Sequence, residues 1–360
     1  MSRHLLFVLA AGAALTAGLA ACSADDTATA GEGQKEIRLT TTIGDDAVTR
    51  SFNTANLLNG DTVYVWTDMV TPATSEQAQP TVTEYFKAWA LQANGLGGLS
   101  TLAASNAKLF PATNVLNFYA LVGNFGRKAV TVGDEETLVP KIDAETNDFP
   151  SAGILHTVMA DQSGATGEAY YKSDLLYAVK MGQEPISTPV PLALQHMLSR
   201  IQVVLVAGNG MTTADLSGAT VELVNLYRQV TFKPDKEKDF GNLDDLGSML
   251  TIPKLDYEPS TIVMATSVTA SAADAAPAGS TLYADAIVVP QEIAAGTPLV
   301  KVSYLGRVLY YRAPQEGLTL QNGRQYRFRL IADRTGNAYL AAPEIEDWKA
   351  ETPIPLDMKY

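Results

Sequence analysis

A chain of 360 residues with one cysteine, a formal net charge of −13 and 46% hydrophobic residues can bury a sizeable core without an internal disulfide. The acidic balance argues against nucleic acid as a partner, since that affinity comes largely from Lys and Arg meeting phosphates, and against peripheral attachment to anionic lipid. The length suits two ordinary domains or one large β domain.

Arg3 and His4 open the chain, Leu5 to Leu19 is an uncharged, mostly apolar run, and Leu19-Ala20-Ala21-Cys22 closes it. Residues 1–21 read as an export signal, too short and too weakly apolar at the Gly/Ala-rich end for a membrane-spanning helix. The ending resembles a lipobox. That implies cleavage before Cys22, diacylation of its thiol and attachment to outer-membrane lipid, since two or three acyl chains anchor stably where one is marginal. An ordinary signal peptide with an incidental cysteine is the alternative. Residues 22–36 are rich in Ala, Thr, Asp, Gly and Glu and are expected to form a flexible tether.

From Glu36 to Ile43, Ile37, Leu39 and Thr41 share one face and Arg38, Thr40 and Thr42 the other, the period of a half-buried strand. Gly44-Asp45-Asp46 is a turn, and Arg50 follows in a polar connector. Further strands are expected at 62–66, 85–91 and 115–121, the second ending at Asn94-Gly95-Leu96-Gly97-Gly98. Residues 123–150 read as loop-rich around the acidic run Asp134-Glu135-Glu136, and 155–160 and 175–179 as short strands. Three prolines between Pro185 and Pro191 place the domain boundary there, giving domains 37–188 and 189–360. Beyond it, strands are expected at 198–206, 221–226, 262–265, 285–290, 300–304, 308–311 and 326–331. Leu192 to Ser199 is the only helix candidate and reads equally as strand. Short strands with polar turns across both halves predict an all-β chain of two β-sandwiches.

Cys22, the strand from Ile37, Gly60-Asp61-Thr62-Val63-Tyr64-Val65-Trp66, Lys87-Ala88-Trp89 and Phe110-Pro111 occur here in a recognisable order. Asn117-Phe118-Tyr119-Ala120-Leu121, Asp174-Leu175-Leu176-Tyr177-Ala178, His196-Met197-Leu198-Ser199-Arg200-Ile201, Val288-Val289-Pro290-Gln291 and Ile345-Glu346-Asp347-Trp348 continue it. Together they resemble the fimbrillin family (Mfa-like, type V pilin) of Bacteroidetes. The resemblance implies two transthyretin-like β-sandwich domains in tandem. It also implies a surface lipoprotein matured by a trypsin-like protease that removes the first strand, and a fimbria built with other pilin subunits by donor-strand exchange.

Two places can be weighed against that mechanism. A cut after Arg50 would release lipid and first strand together and leave a groove open to β-augmentation. Arg50 as an ordinary exposed arginine is the alternative, and Lys35 and Arg38 are poorer cutting sites. In the tail, 350–360, Ile354, Leu356, Met358 and Tyr360 alternate as a donor strand requires, although Pro353 and Pro355 each remove a backbone donor. A tail paired with its own domain would instead make a tip or accessory subunit.

No enzymatic or cofactor chemistry is expected. His156 and His196 are far apart in sequence and have no cysteine ligands near them, so no metal site is predicted, and His196 reads as a core-edge residue. Asp235, Asp239, Asp244 and Asp245, interleaved with Lys233, Lys236 and Lys238, read as a solvated loop and lack the calcium-loop spacing. Gly95 to Gly98 lacks the following Lys-Ser or Lys-Thr of a phosphate cradle. Tyr64, Trp66, Tyr85, Phe86 and Trp89 are expected in the core. The rival function is a monomeric glycan-binding surface lipoprotein that uses these aromatics.

Overall fold

Period two governs the first described strand: Ile37, Leu39 and Thr41 are buried, and Arg38, Thr40 and Thr42 alternate with them at higher exposure. The computed structural model describes residues 34–43, 56–73, 79–103, 106–125, 127–132, 135–140, 148–164, 167–208, 210, 215–216, 218–237, 247–252, 258–269, 281–332, 338–340 and 344–347. Strands dominate, and the all-β expectation holds.

β1 (Leu39–Ile43) is followed by β2 (Thr62–Thr71), β3 (Thr81–Ala93), β4 (Leu99–Thr101) and β5 (Val115–Val122). β6 (Arg127–Val132) and β7 (Glu135–Pro140) form an antiparallel hairpin in the stretch expected to be loop-rich. Gly133-Asp134 between them is a two-residue turn signal that the neighbouring acidic run obscures. Next come β8 (Ile154–Thr157), the short helix α1 (Glu168–Lys172), β9 (Leu176–Gln183), β10 (Val190–His196) and β11 (Ser199–Ala207). β12 (Thr220–Leu226), β13 (Gln229–Phe232), β14 (Leu250–Thr251), β15 (Ser260–Val263), β16 (Ala265–Thr269) and β17 (Thr281–Val288) follow. The last group is β18 (Glu292–Ile293), β19 (Pro298–Tyr304), β20 (Arg307–Arg312), β21 (Leu318–Thr319), β22 (Arg324–Ala332), β23 (Ala338–Leu340) and β24 (Glu344–Asp347).

The first sheet runs β1-β10-β9-β5-β2-β3-β4 and curls until its ends approach, with an antiparallel bridge between Thr40 and Gly98. Inside the curl lies one apolar cluster, including Val63, Val65, Trp89, Leu91, Leu116, Phe118 and Leu192. The opposite face of the same strands (Trp66, Tyr119, Leu121, Tyr177) belongs to a larger cluster with Ile201, Val203, Leu223 and Phe328 from the second half. β5 is therefore covered on both faces, which is why it reads as a continuous apolar run.

The prolines do not separate the sheets. β10 lies beyond residue 188 yet pairs with β1 and β9, so the chain changes sheet between His196 and Ser199. Pro191 is tolerated because Val190 N–H donates to Arg38 O at 2.8 Å on the β1 side, whereas pairing with β9 begins only at Gln195. The helix alternative for Leu192 to Ser199 gives way to strand on either side of Met197-Leu198. β8 likewise pairs with β13 of the second half.

Candidate functional site

β1 sits at the end of its sheet. Along one side it runs parallel to β10, from Leu39 opposite Val190 to Ile43 opposite Leu194. Its other side, with Glu36 and Ile37 ahead of it, meets isolated antiparallel bridges, Glu36 to Leu109 and Thr40 to Gly98. Ile37 N–H donates to Lys108 O at 2.8 Å, Phe110 N–H to Lys35 O at 2.8 Å, and Thr41 N–H to Gly97 O at 2.7 Å.

Gly97 has φ +88, and a Cβ there would stand 3.0 Å from Thr41 O, so a glycine lets the turn approach the strand. Asn94 Oδ1 holds the turn by accepting from Leu96 N–H at 2.8 Å and Gly98 N–H at 2.9 Å. The glycine cluster that lacks a phosphate motif is thus one bank of a groove whose other bank is β10. Ile37 and Leu39 share the groove's apolar floor with Leu57, Phe110, Phe118 and Leu192. Buried Thr41 Oγ1 has no hydrogen-bond partner among the described residues.

Of the strand read from Glu36 to Ile43, Leu39–Ile43 pairs along β10. Lys35 Nζ donates to Pro185 O at 3.0 Å and the Arg38 guanidinium to Ser187 O, clamping both basic side chains to the chain just before β10. Cys22, Arg50, Ile354, Leu356, Met358 and Tyr360 lie outside the described residues.

Several buried polar groups brace the scaffold. His156 accepts from Asn124 N–H at 3.1 Å through Nδ1 and bonds Ser173 O at 2.9 Å through Nε2. That fixes a neutral tautomer, and burial pushes the imidazole down to about 4. His196 bonds Asp174 at 2.7 Å as a core-edge residue. Among the described residues no group of three His, Cys, Asp or Glu could hold a metal ion.

Lys236 corrects the solvated-loop expectation. Its ammonium pairs with buried Asp68 at 2.7 Å and stands 4.8 Å from the Tyr119 ring centroid, because β2 presents an acid that needs a partner. Asp235 caps a local turn, and Asp239, Asp244 and Asp245 lie outside the described residues. Sequence reading also missed the Arg200 network: its guanidinium bonds Asp285 at 2.7 Å and Gln325 at 2.8 Å, all buried. Trp66 and Trp89 are core residues, with Tyr64, Tyr85 and Phe86 packed against the two clusters.

A family model described as fimbrillin-like matches residues 49–348. The chain belongs to the fimbrillin-like family. This is a family of fimbrial structural proteins and not of enzymes. No curated protein matches the chain. Among solved structures, this fimbrillin-like chain is similar to a candidate cell adhesion protein of Bacteroides ovatus, at 16% identity and TM-score 0.56, covering 89% of this chain and 100% of that one. It is also similar to a candidate cell adhesion protein of Bacteroides uniformis, at 18% identity and TM-score 0.50, covering 87% and 98%. Both likenesses concern the fold. The tip fimbrial protein Mfa3 of Porphyromonas gingivalis, C-terminally truncated, aligns over 88% of this chain and all of that one at 9% identity and TM-score 0.42, too distant to argue from.

Proposed function

We propose that this fimbrillin-like protein is a structural or adhesive subunit of a cell-surface fimbria, joined to other pilin subunits by exchange of β1 for a neighbour's strand. The observation that carries the reading is the place of β1: a whole strand on one side, isolated bridge contacts on the other, and apolar side chains dropping into a floor shared with β10. Removing such a strand leaves a row of backbone donors and acceptors on β10 beside an apolar trough, which a complementary strand fills by β-augmentation.

In this reading the chain travels as a lipoprotein acylated at Cys22 and reaches the outer-membrane surface. A trypsin-like protease cuts after Arg50, and the tail carrying Ile354, Leu356, Met358 and Tyr360 supplies the donor strand. Two sandwich domains in tandem, handing over between β10 and β11, complete it. The test is limited trypsin treatment of the purified precursor followed by N-terminal sequencing. A new terminus at Ser51 and detergent-resistant multimers support the reading. A product that keeps β1, or a cut product that stays monomeric, overturns it.

A further inference from the structure

A cavity of about 490 Å³ opens between the turn ahead of β2, the end of β5 and α1, and none of its lining residues belongs to the β1 groove. Asp61, Tyr64, Asn124, Tyr171 and Asp174 contribute to its wall, with Glu168 and Lys172 beside them. Glu168 and Lys172 pair with each other, so Asp61 and Asp174 leave the lining acidic.

Asp174 is the residue without an internal explanation. Its side chain is only 10% exposed, and Oδ2 is bonded to His196 Nδ1 at 2.7 Å. Oδ1 is buried and has no hydrogen-bond partner among the described residues. A buried carboxylate oxygen is normally satisfied, and a donor brought by a ligand would satisfy this one. The wall is also preorganised. His156 ties the backbone at Asn124 to Ser173, the residue before Asp174, and Asn124 Nδ2 donates to Thr157 O at 2.7 Å. Asp61 Oδ2 accepts from Leu58 N–H at 2.9 Å, and burial raises its carboxyl above the ordinary value.

Size and chemistry narrow the ligand. The volume is in the range of small-molecule sites and larger than one ammonium or guanidinium head needs. Carboxylates and a side-chain amide beside tyrosine rings suit a ligand that offers hydroxyl donors and C–H faces together, while the acidic lining repels an anionic one. We propose that this cavity binds a neutral sugar unit, with Asp174 Oδ1 and Asp61 accepting from its hydroxyls and Tyr64 and Tyr171 bordering its ring.

The test is ligand-observed NMR on the full chain, with methyl β-galactoside, methyl α-mannoside and N-acetylglucosamine as probes and sialic acid and arginine amide as comparisons. At least one neutral sugar should bind saturably while sialic acid does not, and Asp174→Asn should weaken that binding about tenfold. Asp61→Asn, at a site without the His196 bond, gives the same readout should Asp174→Asn not fold. No saturation by any of the three sugars, unchanged binding in Asp61→Asn, or displacement of the sugar by arginine amide overturns the proposal. The measurement involves neither proteolysis nor assembly, so its failure leaves strand exchange standing.

Discussion

Thr41 N–H donates to Gly97 O at 2.7 Å, so the first strand is pinned on its open side by a glycine turn and not by a strand. A side chain at Gly97 would strain the backbone at φ +88 and crowd Thr41 O. Gly97→Ala should cost about 1–2 kcal/mol, the penalty of a left-handed residue with a Cβ. Urea denaturation of the intact chain measures the loss, and amide exchange at Thr41 should quicken with it.

The groove itself can be tested in trans. A chain that begins at Ser51 lacks Ile37 and Leu39, both buried, and burial of two such side chains contributes about 3–6 kcal/mol. Its melting temperature should lie below that of the precursor and recover when a synthetic peptide of residues 35–43 is added. The same peptide carrying Leu39→Asp should not restore it. Equal recovery with both peptides would show that the groove does not read the apolar face.

His156 predicts a pH dependence of stability. Its folded value is about 4 against 6.5 unfolded, so as pH falls below 6.5 the unfolded chain takes a proton that the folded one refuses. Stability therefore declines between pH 6.5 and 4 by about 3 kcal/mol from this group, and its contribution is level outside that window. Urea midpoints at pH 7, 5.5 and 4 measure the decline, and His156→Gln should flatten it.

Arg200 on β11 and Asp285 on β17 are buried diagonal neighbours, Asp285 standing opposite Gln202. Removing the acid leaves a buried guanidinium that still donates to Gln325 but has lost its counter-charge. Asp285→Ala should cost about 3–5 kcal/mol, since desolvation of the charge is then uncompensated. Replacing both partners together should cost less, and a double-mutant cycle in urea distinguishes the two outcomes.

The alternation of Ile37, Leu39 and Thr41 and the strand at β5 were legible because each is written within a few consecutive residues. The order of motifs also placed the chain in its family. β6 and β7 were not legible because the acidic run Asp134-Glu135-Glu136 reads as loop, and the pairing of β10 with β1 and β9 was not legible because prolines mark a break without saying which backbone groups face a partner. Lys236 was legible only as a charge, since its acid, Asp68, comes from a distant strand.

The local sequence by itself determined that this is a β protein and which face of β1 turns inward, because period-two burial is a property of neighbouring residues. Only the tertiary structure decided that β1 lies parallel to β10, that Gly97 guards its other side, and that Asp174 keeps one oxygen unsatisfied beside a cavity. Strands share one period whatever they pair with, and pairing between distant segments is chosen by the packing of the whole chain.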